Sequence, residues 1–209
     1  MSEIQVGRLL RANTRQCVVG CPASQEFPPY GSLVTVPLGE NEQAFGLVTD
    51  IHIDDDGLVR QLAAAGDIPE EVIQDNRTNR NVPVELSVLF VGYSQGEDIS
   101  HLLPPKPPLS LDMMRTCSGD EIVRFTSHGR FGYLRHILAA DELPAADLLA
   151  AHLKQASRAQ AAEGSSWLRP AVKEIITLLR DDHTALTAVL GALGDAFLEF
   201  SIEEGDIHG

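Results

Sequence analysis

The chain begins as short apolar runs and ends as long helical stripes. Five segments of the first half read as strands: Ile4–Leu10, Gln16–Gly20, Ser32–Pro37, Ala44–Ile53 and Val82–Tyr93. They are rich in Val, Ile, Leu or Phe and bounded by Gly, Pro or Asn, the residues that punctuate strands. Pro28-Pro29-Tyr30-Gly31 marks a turn before Ser32, and Gly7, Gly31 and Gly46 mark bends or bulges. Many short, bent strands predict a small closed barrel. A helical insertion over 58–79 separates the fourth and fifth runs. Its first helix, Leu58–Ala65, stops at Gly66, and Asp67 caps the second, with Pro69 in the first turn.

The segment HLLPPKPPLSL at 101–111 has four prolines between Pro104 and Pro108. Proline fixes φ and lacks an amide donor, so this is a stiff connector that neither joins a ladder nor continues a helix. It also has the composition of a ligand for an SH3-like groove. Helices follow. Ser118 or Asp120 caps one running towards Ser127, Gly129-Arg-Phe-Gly132 breaks the chain, and a second runs to Ala140. Pro144 opens a third, amphipathic through Leu148, Leu149, His152, Leu153 and Ala156. Val172, Ile176, Leu179, His183, Leu186, Leu190, Leu193, Phe197 and Phe200 then trace a heptad seam. That seam is one helix, or a hairpin capped at Asp181-Asp182. It packs inside the helical half or joins two copies, with Gly191 and Gly194 allowing close approach. His183 on it reads as a neutral core histidine beside Asp182. The pattern predicts an α+β protein: a barrel over 1–100, a proline-rich connector over 101–111, and an all-helical region over 112–209.

Charge narrows the function. The chain has 30 acids against 16 bases, a net charge of −14, shared by both halves. That balance disfavours nucleic acid, whose binding draws on Lys and Arg. Dispersed acidity is a solvated surface or a docking face for an arginine-rich partner. No apolar run approaches a membrane span, and Met1-Ser-Glu-Ile-Gln has no signal-peptide pattern, so a cytoplasmic location is expected. Cys17, Cys21 and Cys117 are then reduced thiols, and their spacing completes no zinc site. No phosphate-binding glycine motif is present. Asp54-Asp55-Asp56-Gly57 fails as a calcium loop, because His52 and Ala63 fall at its first and twelfth positions. No catalytic motif and no cofactor site is recognisable.

The stretches IQVGRLLRANTRQCVVGC at 4–21, FPPYGSLVTV at 27–36, AFGLVTDIHI at 44–53 and VPVELSVLFVGY at 82–93 resemble the HAS-barrel family. These barrels stand at the N-terminus of HerA-type DNA-translocating ATPases and of ATP synthase subunits. The likeness spans roughly 3–94, under half of the chain. In the family an ATPase domain with a Walker A loop follows the barrel; here a proline connector and helices follow. The resemblance therefore implies no ATPase activity and no catalytic residue. It implies the barrel's other role, contact with neighbouring barrels or docking of a partner.

The reading that results is a non-enzymatic interaction or assembly module, acting with a ring ATPase or as an oligomer through the 172–200 seam. Phe27, Tyr30, Pro104 and Pro105 are interface candidates at the barrel. Arg130, Phe131, Tyr133 and Arg135 are candidates in the helical half, where aromatic and arginine side chains make usual hot spots. The alternatives are a hydrolase or metal enzyme at the barrel mouth, using His52, Asp54 and Asp56, and a DNA-processing accessory using Arg124, Arg130 and Arg135.

Overall fold

The computed structural model describes residues 4–22, 25–53, 57–78, 83–140, 142–160 and 165–203. Its strands are β1 (Gln5–Ala12), β2 (Gln16–Cys21), β3 (Leu33–Gly39), β4 (Glu42–Ile53), β5 (Val84–Gln95), β6 (Asp98–Ser100) and β7 (Met113–Thr116). Its helices are α1 (Leu58–Ala64), α2 (Glu70–Thr78), α3 (Gly119–Ser127), α4 (Leu134–Leu138), α5 (Ala145–Ala159), α6 (Ser165–Leu178) and α7 (His183–Glu203). The protein is α+β, as its pattern predicts.

Six strands close a barrel in the order β2-β1-β7-β3-β4-β5, with β2 pairing back onto β5. Every pairing is antiparallel, and β6 extends β5 as a short hairpin. Turn chemistry follows the residues. The Asn13 side chain accepts the amides of Arg15 and Gln16 at 2.7 and 3.0 Å and so closes the β1–β2 turn. Asn41 turns β3 into β4 at φ 56, a conformation Asn tolerates.

β7 departs from expectation. Met113–Thr116 lies after the prolines, in the range expected to be helical, yet it inserts between β1 and β3. Without it the barrel has a gap.

Alternating side chains of β3, β4 and β5 enter two separate cores. Val34, Val36, Ala44, Val48, Val88 and Phe90 point into the barrel, with Val6, Leu9, Cys17, Val19 and Met114. Leu33, Phe45, Leu47, Leu89 and Val91 point outward and pack on the helices through Phe125, Tyr133, Leu149 and Leu153. A sheet buried on both faces reads as a continuous apolar run, which is why Leu89-Phe90-Val91 does not alternate with polar residues. Phe45 stacks on Phe125 of α3 with ring centroids 4.5 Å apart.

The 172–200 seam is broken. α6 ends at Leu178, and the Asp182 side chain accepts the Ala185 amide at 2.9 Å to start α7. Leu179 and Leu193 are buried, whereas Ile176 and Leu190 are each 42% exposed. One helix carrying one heptad seam is therefore not formed. His183, expected in the core, is exposed on the first turn of α7. Among the described residues nothing lies within 4 Å of where a Cβ would stand at Gly191 or Gly194, so no described helix approaches there.

Close packing of the two-faced sheet leaves no room at Gly46, where a Cβ would stand 2.4 Å from Val88 Cγ1. Gly46→Ala should cost about 1–3 kcal/mol, the usual penalty of overpacking. Urea unfolding measures it; an unchanged midpoint would contradict this packing.

Candidate interaction surface

The connector is tied to the barrel, with Lys106 paired to Glu42 of β4 at 2.9 Å. Pro104 and Pro108 are buried, while Pro105 and Pro107 are exposed. It ends in a tight loop, Leu109–Asp112. The Asp112 carboxylate accepts the Leu109 amide at 2.8 Å, and the Asp112 amide donates back to the Leu109 carbonyl at 3.2 Å. The Leu111 amide donates to the Leu9 carbonyl at 2.8 Å, and Arg8 Nη1 donates to the Leu111 carbonyl at 3.0 Å.

This anchoring presents apolar side chains to water. Leu109 is 73% exposed and Leu111 65%, and Leu111 stands at φ 70. A bulky residue in the left-handed region is an outlier that surrounding contacts must hold. Leu10, on adjacent β1, is also exposed. Arg8 adjoins Leu111, Arg11 pairs with Glu85 at 3.3 Å, and no Asp or Glu occurs in residues 4–25 of a chain with 30 acids.

A second acid-free stretch, 122–140, carries Arg124, Arg130, Arg135, His128 and His136. At its centre Gly129, Arg130 and Phe131 all have positive φ, at 52, 53 and 57. Beneath this left-handed turn lies buried His101. Its Nε2–H donates to the Phe125 carbonyl at 3.1 Å, and its Nδ1 has no protein partner. Arg135 Nη2 and His136 Nε2 both donate to the His101 carbonyl. Deeper in, His152 Nδ1–H donates to the Gly31 carbonyl at 3.3 Å, and its Nε2 accepts the Tyr133 hydroxyl at 3.1 Å. Carbonyls only accept, so each fixes which ring nitrogen carries a proton, and burial is what keeps the ring neutral. Burial pushes the pKa of His152 down to about 4, against the opposing pull of the Gly31 carbonyl. Burial likewise takes His101 down to about 4; the Phe125 carbonyl opposes this, and the charges of His128, Arg135 and His136 add to it.

The barrel and α3 are clamped by an ion pair. Ser118 and Glu121 form a capping box, and Arg115 of β7 grips both Glu121 oxygens at 2.7 Å. Gln43 of β4 joins through Arg115 Nη2 at 3.1 Å. Burial opposes the charge on Glu121, but Arg115, the Ser118 amide and Gln43 outweigh it and hold its pKa at about 2. A polar cleft of about 580 Å³ opens beside this clamp, between the outer barrel wall and α3.

The candidate residues scatter. Phe27 packs partly buried against the barrel core, and Tyr30 against the helical one. Arg130 and Arg135 are exposed, and Phe131 packs edge-on against Trp167. Tyr133 is completely buried and bonded to His152, so it is a core residue and no surface anchor. Arg124 is ion-paired with Glu97. His52 is exposed at the end of β4, and Asp54 and Asp56 lie outside the described residues. Among the described residues no group of three His, Cys, Asp or Glu is placed to hold a metal. None of their helices is long and apolar enough to cross a membrane. Leu109 and Leu111 were missed as candidates; their signal was apolar residues beside prolines. No family model matches the chain, and no curated protein matches it.

Two predictions follow from the buried polar groups. Unfolded, His101 and His152 titrate near 6.5, and folded near 4. In that window the unfolded chain binds more protons, so stability is full above pH 6.5 and falls as pH drops towards 4. A shift of this size is worth roughly 3 kcal/mol per group. Urea titrations across this range should show the fall, shallower in His152→Gln; a flat wild-type profile would refute the neutral assignment. Separately, Glu121→Gln should cost about 2 kcal/mol at pH 7, because half-buried Arg115 loses its carboxylate. Glu121's stabilisation is present above pH 4.5 and lost towards pH 2, so the gap between variant and wild type should close there.

Proposed function

We propose that this chain is a non-enzymatic protein-interaction or assembly module, and that the Leu109–Asp112 loop is its binding surface. The observation that carries the reading is the strained, fixed display of Leu109 and Leu111. Five hydrogen bonds hold the loop, one of them from Arg8, 103 residues away. A loop held this firmly loses little entropy on binding, and exposed apolar anchors on it favour a partner. Among the described residues they stay mostly exposed.

The closed six-strand barrel is compatible with the HAS-barrel resemblance and with the partner class it implies, a ring ATPase. On this reading the barrel is a scaffold, the connector a rigid mount, and the helices a brace for the outer wall of β3, β4 and β5. The module works without a cofactor, in the cytoplasm, and does not depend on nucleic acid.

Site-specific photocrosslinking tests the reading. A photoreactive phenylalanine at Leu109 should yield a discrete protein adduct in cells, and the same probe at exposed Thr187 should not. Equal, diffuse labelling at both positions would sink it.

A further inference from the structure

We infer that the polar cleft beside the Arg115–Glu121 clamp is a binding site for a small neutral saccharide. This goes beyond the assembly role and does not depend on the Leu109–Asp112 loop being a binding surface.

The cleft marks a change of chemistry along the outer wall. Leu33 and Phe45 are apolar there and packed under the helices. One step further on the same face, two residues along each strand, β3 presents Thr35 and β4 presents Gln43. Directly opposed residues share a face. Ser94 of β5 stands opposite Gln43, Arg115 of β7 opposite Thr35, and Gln5 of β1 opposite Arg115. Five strands thus bring polar side chains to one floor, and α3 walls it with Glu121. The space above is about 580 Å³, the size of a small-molecule site.

What is already bonded argues against an ion as occupant. Each carboxylate of the cleft has its own cation: Glu42 has Lys106 at 2.9 Å, Glu97 has Arg124, and Glu121 has Arg115. Glu121 is saturated. Its Oε1 accepts Arg115 Nη2 and Gln43 Nε2, and its Oε2 accepts Arg115 Nη1 and the Ser118 amide. The Nη hydrogens of Arg115 are used as well, on both Glu121 oxygens, Gln43 Oε1 and the Thr116 carbonyl. An incoming cation finds no open acceptor on this clamp, and an incoming anion finds no open Nη–H.

The capacity left over is neutral. Ser94 lines the cleft and is only 1% exposed, yet its hydroxyl bonds no described residue. A buried hydroxyl without a partner is destabilising, so this one calls for a partner from outside the chain. The exposed amides of Gln5 and Asn41 are also open among the described residues. Gln43 Nε2 has a second hydrogen to give, and the Thr35 hydroxyl, which donates to Gln43 Oε1 at 3.0 Å, keeps its lone pairs. Donors and acceptors are therefore interleaved without net charge. Vicinal sugar hydroxyls, each able to donate and accept, match such a set. Pro37 and Met113 beside them offer apolar contact to the C–H face of a sugar ring.

NMR titration of the full-length chain tests this, with glucose, galactose, mannose, maltose, lactose and trehalose as probes. At least one should bind at concentrations up to about 10 mM and shift the amides of Thr35, Gln43 and Ser94. Ser94→Ala should weaken that binding by about tenfold, the worth of one hydrogen bond. It should leave the urea midpoint no lower than wild type, because no bond within the protein is lost. Gln5→Ala, at an exposed side chain, should weaken binding without changing the circular dichroism. The amino-sugar and uronic-acid counterparts of the bound sugar should bind less well than the neutral form. Silence from every probe leaves the Ser94 hydroxyl to water and overturns the inference. So does binding that shifts other residues, that ignores both substitutions, or that favours a charged counterpart. A lowered midpoint for Ser94→Ala with unchanged binding would make the hydroxyl structural and has the same result.

Discussion

The fold depends on the outer wall of three barrel strands being dry. β3, β4 and β5 send alternate residues into the barrel and into the helical layer, so each is sandwiched between two cores. Removing the helices would expose Leu33, Phe45, Leu47, Leu89 and Val91 together, an apolar face that a small domain cannot leave in water. The helical half is accordingly a second layer of one structure. Its first helix is held by the Phe45–Phe125 stack and by the Arg115–Glu121 clamp, one apolar contact and one ionic.

The polar groups in that layer are neutral where they are deep and charged where they are shallow. His152 and Tyr133 satisfy each other at the centre, whereas Glu121 and Arg115 meet at the edge of an open cleft. This ordering follows from the cost of burying charge. Arginines from stretches that lack acids find them elsewhere in the chain, Arg11 on Glu85 and Arg124 on Glu97.

Strands rich in Val, Leu and Phe were legible in the sequence because burial on both faces forces continuous apolar runs. The cap at Ser118, the proline opening of α5 and the break at Gly129 were legible because local chemistry alone sets them. β7 was not: Met113-Met-Arg-Thr116 has no β-branched run and follows prolines, and its strand character comes from neighbours about a hundred residues away. The same holds for the surface. Pro104 and Pro105 precede this loop, but Leu111 is held in its conformation by Leu9 and Arg8. Tyr133 was misplaced because a basic, glycine-flanked context resembles surface, whereas the reversal at 129–131 turns that side chain inward.

The late position of β7 has a consequence for how the molecule is made. The stave between β1 and β3 is the last of the six in the chain, so the first hundred residues emerging from a ribosome have every other stave and an open seam. Closure waits for Thr116, whose amide then bonds the carbonyl of Ile4, 112 positions back. Joining ends so far apart carries a large loop-closure entropy and makes folding slow. The proline run shortens that search. It fixes φ at four positions of the segment that leads to the closing strand, so fewer conformations are searched before closure.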